Sequence, residues 1–407
     1  MRGVLLFTAL VLFTSQPTPA TEPGQQEPSL LKVAIPKTDD RIPLLSEPQW
    51  IIPAQNLPPT FHLEKSNNCV TIAKHQGRLF TAWRSAPTHF ASDQTKMFIM
   101  SSPNEGKTWD EEKIISLGSD VREPSLVSFR GKLIFSFFQG EANPFTFAPR
   151  RMLRTIRDEK GSWSDLSAFG PPGEVPWEMK VFQNQLYMTS YSGDHYSAGM
   201  SNIEVHFNVS KDGMVWRPAN EKIPVVYRGG VSEVGFDFSD DGTLWAITRN
   251  EDGDSSGWGS HVVSSGHHGI DAWEFPKRSD PARFDSPRMF RHRGDLYVIA
   301  RRNLAGAFDR GFAFLPVVIR KWVNLVYYSF TLKRTALYRL DRATRQMVWL
   351  FDFPSAGDNA FPSIVQTGAD EFLVANYSSP ILQKDDSWIT GQLSSRGTGI
   401  YLVRLNF

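Results

Sequence analysis

Gly77-Arg78-Leu79-Phe80, Gly131-Lys132-Leu133-Ile134, Asn184-Gln185-Leu186-Tyr187, Gly242-Thr243-Leu244-Trp245 and Gly294-Asp295-Leu296-Tyr297 are five renderings of one phrase: a turn residue, then the opening of an apolar strand with leucine in a fixed register. An apolar strand precedes each, and a loop, a third strand and a tryptophan come after it. The closing tryptophans Trp109, Trp163, Trp216, Trp273 and Trp349 lie 54, 53, 57 and 76 residues apart, the long gap coinciding with an insertion at about 303–332. A sixth unit runs from Phe361 to Tyr377 and resumes at Gly399–Leu405. Strands of five to seven residues between hairpin turns, with no convincing amphipathic helix, predict an all-β chain. Four-stranded units of about 50 residues that cannot bury both faces alone predict blades, and six of them a six-bladed β-propeller. The last unit is one strand short, and Leu30–Ile35 is the expected closing strand.

Outward from the repeat, the chain divides into residues 1–20, 21–60 and 61–407. Arg2, the run Val4–Phe13 and the small residue Ala20 have the layout of an export signal, which predicts a secreted or periplasmic protein. That run would span about 15 Å of helix against a bilayer core of roughly 30 Å, and no later segment is long enough, so no membrane span is expected after signal removal. Residues 21–60 read as a Pro-rich extended tether. Over all 407 residues, 44 basic side chains meet 43 acidic ones, which gives no net field for a nucleic acid partner. The single cysteine, Cys69, excludes an internal disulfide and a thiolate zinc cage. His261, His267 and His268 lack metal-ligand spacing, so neither a catalytic metal nor another cofactor is expected. Asn208-Val209-Ser210 and Asn376-Tyr377-Ser378 fit the glycosylation acceptor pattern.

In a blade, the start of the first strand and the end of the second share one rim of the channel. That rule gathers Arg84, Gln139, Tyr191, Arg249, Arg301 with Arg302, and Tyr377 at second-strand ends. At first-strand starts it gathers Arg122 with Glu123, Glu178, Glu233, Asp285 and Asp358. Arginine holds a carboxylate through paired charge-assisted hydrogen bonds, and glycosidic cleavage needs two carboxyl groups flanking the reacting bond. An acidic glycan is therefore the expected partner. Taken singly, each of these residues is more simply a solvated rim group or an inter-blade ion pair. Trp177, Trp258 and Tyr196 sit near rim loops, where they would stack on a sugar ring or simply pack the loops.

Three turns carry a more specific phrase: Ser102-Pro103-Asn104-Glu105-Gly106-Lys107-Thr108-Trp109, Ser210-Lys211-Asp212-Gly213-Met214-Val215-Trp216 and a decayed version over Ser265–Trp273. These resemble the Asp-boxes (BNR repeats) of the sialidase superfamily, and the resemblance covers about residues 65–407. It implies a six-bladed propeller and exo-glycosidase chemistry in which arginines clamp the substrate carboxylate, a Tyr–Glu pair is the nucleophile and an Asp is the acid/base. Position by position, Glu233 matches the family's Glu and Arg249 its second arginine. Arg301 or Arg302 matches the third arginine, Arg84 the additional first-blade arginine, and Asp93, in the loop that holds His89, the acid/base. Two positions depart. Asn67-Asn68-Cys69-Val70 stands where the first arginine belongs, and Phe361 stands where the tyrosine belongs, leaving Tyr377 or Tyr191 as substitutes. An alternative chemistry uses a carboxylate pair drawn from Glu123, Glu178, Glu233, Asp285 and Asp358. The residues support three readings: an exported glycosidase releasing a terminal acidic sugar, a glycan-binding propeller without turnover, and an interaction protein whose rim charges tie blades together.

Overall fold

The computed structural model describes residues 40–54, 56–195 and 199–407. Six antiparallel sheets succeed one another along the chain. Blade one holds Ser66–His75, Arg78–Ala86, Lys96–Ser102 and Asp110–Ser116; blade two holds Val121–Phe129, Lys132–Gly140, Pro149–Arg157 and Ser167–Phe169. Blade three holds Val175–Phe182, Gln185–Gly193, Ile203–Ser210 and Arg217–Pro218, with Tyr227–Gly229 beside the third strand. Blade four has only Val231–Phe238, Leu244–Asn250 and Val262–Ser265, and the single bridge Ser264↔Glu274 stands where a fourth strand was expected. Blade five holds Asp285–His292, Asp295–Asn303, Lys333–Asp341 and Gln346–Asp352, and blade six Asn359–Gln366, Glu371–Ser378 and Gly399–Asn406. The recurring leucines open the second strands, and Leu79, Leu133, Leu186, Leu244 and Leu296 are all buried between blades. The fold is a six-bladed β-propeller.

The ring closes at blade six by strands from near the N-terminus. Leu44–Leu45 and Gln49–Ile52 both pair with Gly399–Asn406, in registers such as Leu44↔Asn406 and Trp50↔Tyr401. The closing strand is therefore supplied by residues 44–52; Leu30–Ile35, expected in that place, lies outside the described residues, as do the export signal and Tyr196. Trp50 packs edge-on against Tyr401 at 5.2 Å.

The turns that close blades one and three are built alike. Asn104 Oδ1 accepts from Thr108 N at 2.9 Å and Ser102 Oγ from Gly106 N at 2.8 Å, while Asp212 Oδ1 accepts from Met214 N and Val215 N at 2.8 and 2.9 Å. Gly106 sits at φ +91°, and a Cβ there would come within 3.0 Å of Leu402 and 3.2 Å of Trp109, so the residue must be glycine on both counts. The tryptophan of the fifth unit behaves differently: Trp349 lies half-exposed under Arg302.

Each of the six innermost strands carries a register break near its rim end, between Asn68/Thr71, Arg122/Ser125, Pro176/Glu178, Val231/Val234, Asp285/Arg288 and Ala360/Ser363. A bulge inserts one residue and re-aims its side chain. Four of the six put a non-glycine residue in left-handed backbone: Cys69 (φ 50°), Glu123 (φ 53°), Ser286 (φ 52°) and Phe361 (φ 53°). Each such residue costs about 1–3 kcal/mol, a strain repeated around the axis where the strands converge.

The 303–332 insertion differs from expectation in forming a helix, Val317–Ser329. No helix among the described residues is long and apolar enough to cross a membrane.

Candidate functional site

The rim rule pairs residues directly across strands, as Asn68↔Arg84, Val121↔Gln139, Val175↔Tyr191, Asp285↔Arg301 and Ala360↔Tyr377. The charged side chains among them, with neighbours, form a buried chain of ion pairs. In blades one and two, Arg84 donates to Asp120 Oδ1 and Phe90 O, both at 2.8 Å. Arg122 pairs with the other oxygen of Asp120 and donates to His89 O at 2.8 Å. The His89 ring then lies 2.7 Å from Asp358 Oδ2, and Tyr377 OH donates to Asp358 Oδ1 at 3.0 Å. On the far side, Arg301 Nε donates to Asn359 O at 2.9 Å and its Nη1 to Asp285 Oδ2 at 3.4 Å. Asp285 also takes Arg283 at 2.5 Å, Arg249 Nε at 3.3 Å and the Tyr328 hydroxyl at 2.6 Å. Arg249 holds Glu233 through Nη1 and Glu251 through Nη2, the latter at 2.6 Å; Glu251 in turn binds Arg283 at 2.7 Å and His195. Every rim arginine in this chain of ion pairs thus has a carboxylate partner already.

The carboxyl groups fall into two electrostatic classes. Burial pushes Asp285 toward its neutral form, but Arg283, Arg249 and Arg301 outweigh it and hold the group below the ordinary range; Asp120 and Glu251 behave alike, held down chiefly by arginines. Burial prevails at Glu178 and at Glu233, which rise, and at Tyr377, whose phenol is pushed further by Asp358. Glu123 is the extreme. Only 8 % exposed, it is pushed up to about 8 by burial and by the Glu233 charge. Its Oε2 has no hydrogen-bond partner. Three more polar atoms from the bulge segments share that condition, Asn68 Oδ1, Ser232 Oγ and Ser286 Oγ. Blades one, two, four and five therefore each send a buried, unsatisfied polar atom from the bulge region, groups whose desolvation is compensated only by water or a ligand.

The axis itself is filled by an aromatic. Trp177, re-aimed by the bulge of blade three, donates from Nε1 to Pro287 O at 3.2 Å and meets Phe361 edge-on at 5.2 Å, while Arg288 lies 4.4 Å over its ring. It thus bridges blade three to blades five and six. Phe361, at the tyrosine position of the resemblance, is half of this contact. Cys69, at the position of the missing arginine, is a buried thiol kept protonated by burial and by Glu123.

The other candidates lie elsewhere. Asp93 is exposed in the turn 92–95, outside the chain of ion pairs. Arg302 leaves the channel side, pairing with Asp352 at 2.8 Å on the blade surface. Glu178 accepts from Phe236 N at 2.7 Å and so ties blade three to blade four. Gln139 bridges Ser119 and Arg151 within blade two. Tyr191 is buried against Phe147, and Trp258 against Phe308 and Tyr328. Among the described residues no group of three or more His, Cys, Asp or Glu side chains is arranged to hold a metal ion. Sequence reasoning missed Asp120, Glu251 and Arg283, each two residues from a predicted rim residue; widening the rim rule by two positions finds all three. Tyr328 carried no such signal, because it comes from the insertion. The insertion helix roofs the chain of ion pairs at this point, with Tyr328 on Asp285 and Lys321 Nζ 3.0 Å from the buried Asp252.

No protein-family model matches the chain, and no curated protein matches it significantly. Solved structures do. A protein of unknown function from Dyadobacter fermentans is similar at 16% identity and a TM-score of 0.56, over 85% of this chain and 96% of its own. The sialidase of Trypanosoma rangeli is similar at 14% identity and a TM-score of 0.55, over 84% of this chain; the match spans 55% of that enzyme. The NanB sialidase of Streptococcus pneumoniae is similar at 11% identity and a TM-score of 0.56, over 87% of this chain and 70% of its own. At such identities the likeness speaks for architecture. The chain has the sialidase-like six-bladed β-propeller fold.

Proposed function

We propose that this protein is an exported glycosidase that releases an acidic sugar by a carboxyl pair, with Glu123 as proton donor to the glycosidic oxygen and Glu233 as the facing carboxylate. One observation carries the reading: Glu123 is a buried carboxyl without a cation bonded to it, it keeps its proton near neutrality, and it sits on a strained bulge, while the bulge segments of blades one, four and five hold unsatisfied amide and hydroxyl groups suited to sugar hydroxyls. Arg122 and Arg249 have the most solvent contact of the arginines in the ion-pair chain and are the groups assigned to the acid group of the sugar. A sugar acid is also what T. rangeli sialidase, similar in fold, holds in its complex with sialic acid. The three turns with the Ser-x-Asp phrase are read as Asp-boxes with a structural role.

The test is a panel of chromogenic sialosides, uronosides and neutral glycosides. Turnover of an acidic glycoside that falls at least about 100-fold in Glu123→Gln is expected. Undiminished turnover in that variant, with loss in Asp93→Asn or Tyr377→Phe instead, returns the chemistry to the roles implied by the sialidase resemblance. A second reading, glycan binding without turnover, is favoured by the arginines' prior engagement with Asp120, Glu233, Glu251 and Asp285. It predicts saturable calorimetric binding of an acidic sugar and no released product.

A further inference from the structure

The loop after the second strand of blade one carries a group that the proposed pair of carboxyls does not use. Its backbone is pinned by arginines: Arg84 donates to Thr88 O at 3.3 Å and to Phe90 O at 2.8 Å, and Arg122 donates to His89 O at 2.8 Å. The loop is thus held through its carbonyls, and the His89 ring is oriented separately. Its Nδ1 lies 2.7 Å from Asp358 Oδ2, while Tyr377 OH donates to Asp358 Oδ1 at 3.0 Å. Asn68 Nδ2 stands 3.5 Å from the same ring nitrogen but donates to Ser66 Oγ at 2.9 Å. A carboxylate this close takes the hydrogen bond of an Nδ1 proton, which leaves Nε2 as the nitrogen with the lone pair. Among the described residues Nε2 has no hydrogen-bond partner, and the side chain keeps 13% of its surface open. An imidazole oriented through one nitrogen by a carboxylate, with the other nitrogen unspent, is the arrangement that activates a nucleophile.

Hydrolysis by the two carboxyls leaves one proton unassigned. Glu123 gives its proton to the departing oxygen, but the attacking water must also lose one, and Glu233 is tied at both oxygens: Oε1 accepts from Arg249 and Oε2 from Ser286 N at 2.8 Å. That setting suits Glu233 to face positive charge on the sugar ring. His89 borders the same place, because Arg122, assigned to the acid group of the sugar and next in sequence to Glu123, donates to the His89 carbonyl. Burial holds the imidazole below the ordinary histidine value against the pull of Asp358, and the Arg122 and Arg84 charges add to the effect, so the ring is neutral near neutrality. We infer that His89, positioned by Asp358, is the base that takes the proton of the attacking water, an inference that rests on the hydrolytic reading above. The water oxygen bonds to the anomeric carbon as the bond to the leaving oxygen breaks. His89 Nε2 takes the water's proton, Glu123 supplies the leaving oxygen's, and each residue then exchanges one proton with solvent.

The test uses the full chain and the acidic glycoside that it turns over best, prepared with an ordinary and with a dinitrophenyl leaving group. His89→Gln should lose at least about 100-fold in kcat on both, since water must be deprotonated whatever group departs. Glu123→Gln should recover on the dinitrophenyl substrate, which leaves without a proton. Added imidazole should restore His89→Gly by at least about tenfold and leave Glu123→Gln unchanged. The melting temperature of His89→Gln should stay close to that of wild type, because the loop is held by its carbonyls. Turnover by His89→Gln within about threefold of wild type overturns the inference and leaves the hydrolytic reading standing. So does a His89→Gly variant that is inactive and indifferent to imidazole, the result of a ring that only ties the loop to blade six. A wild type without turnover on any acidic glycoside ends the hydrolytic reading and this inference with it. Nitrogen NMR of the His89 ring reads the geometry without turnover: a proton on Nδ1 and none on Nε2 near neutral pH is expected, and the opposite tautomer overturns the inference.

Discussion

Glu123 joins local strain to proton chemistry. Its folded-state value, pushed up to about 8, lies above that of an exposed glutamate. Its contribution to stability is therefore fully present below about pH 4.5 and is lost as pH rises from there through about 8, because the unfolded chain ionises first. Glu123→Gln removes that loss. The melting temperature of the variant, relative to wild type, should climb steadily between pH 5 and pH 8 and level off beyond, a difference on the order of a few kcal/mol at the top. A flat difference across that range would show that the carboxyl ionises as if exposed. If Glu123 is the proton donor, turnover of the wild type should also decline above about pH 8. At this scale the sequence was informative about which residues gather and silent about how they pair. Arg84 and Arg249 were legible as rim residues, whereas Asp120 and Glu251, which pair with them, were not, since pairing depends on side-chain direction across blades.

Among the elements, the bulged inner strands and the insertion helix determine the site. The bulges could not be read from alternation: one extra residue flips the facing of the rest of the strand, and Asn67–Val70 or Asn359–Ser363 looks like an ordinary strand start. The helix was missed for a related reason. Its outward face is apolar and its inward face holds Lys321, Asn324 and Tyr328, so the pattern resembled a buried strand run more than an amphipathic helix. Lys321→Met should leave the buried Asp252 without its cation and cost about 3–5 kcal/mol. Arg302→Met, which breaks a partly exposed pair, should cost less than about 1 kcal/mol. Chemical denaturation of the two variants checks the contrast. Tyr328→Phe removes one donor from Asp285 and should cost about 1–3 kcal/mol, leaving the helix in place by circular dichroism.

For the whole molecule, the repeat was legible because a leucine and a turn recur at five of the six second strands, Phe372 taking the leucine's place in the sixth. Closure was legible in principle but misplaced in sequence: a missing strand in blade six called for one from the N-terminal region, and Leu44–Leu45 and Gln49–Ile52 supply it. Trp50→Ala should cost about 2–4 kcal/mol through lost packing on Tyr401, and removal of residues 40–52 should lower the melting temperature further while broadening the transition. A sharp, unshifted melt after that removal would show that blade six holds without them.

Trp177 has one more effect. Because its indole crosses from blade three to blades five and six, the axis is bridged at that level and is not an open tunnel. A polymer cannot be threaded through it. On the proposed reading, a glycan would have to be engaged from one face of the ring, by an end and not along its length.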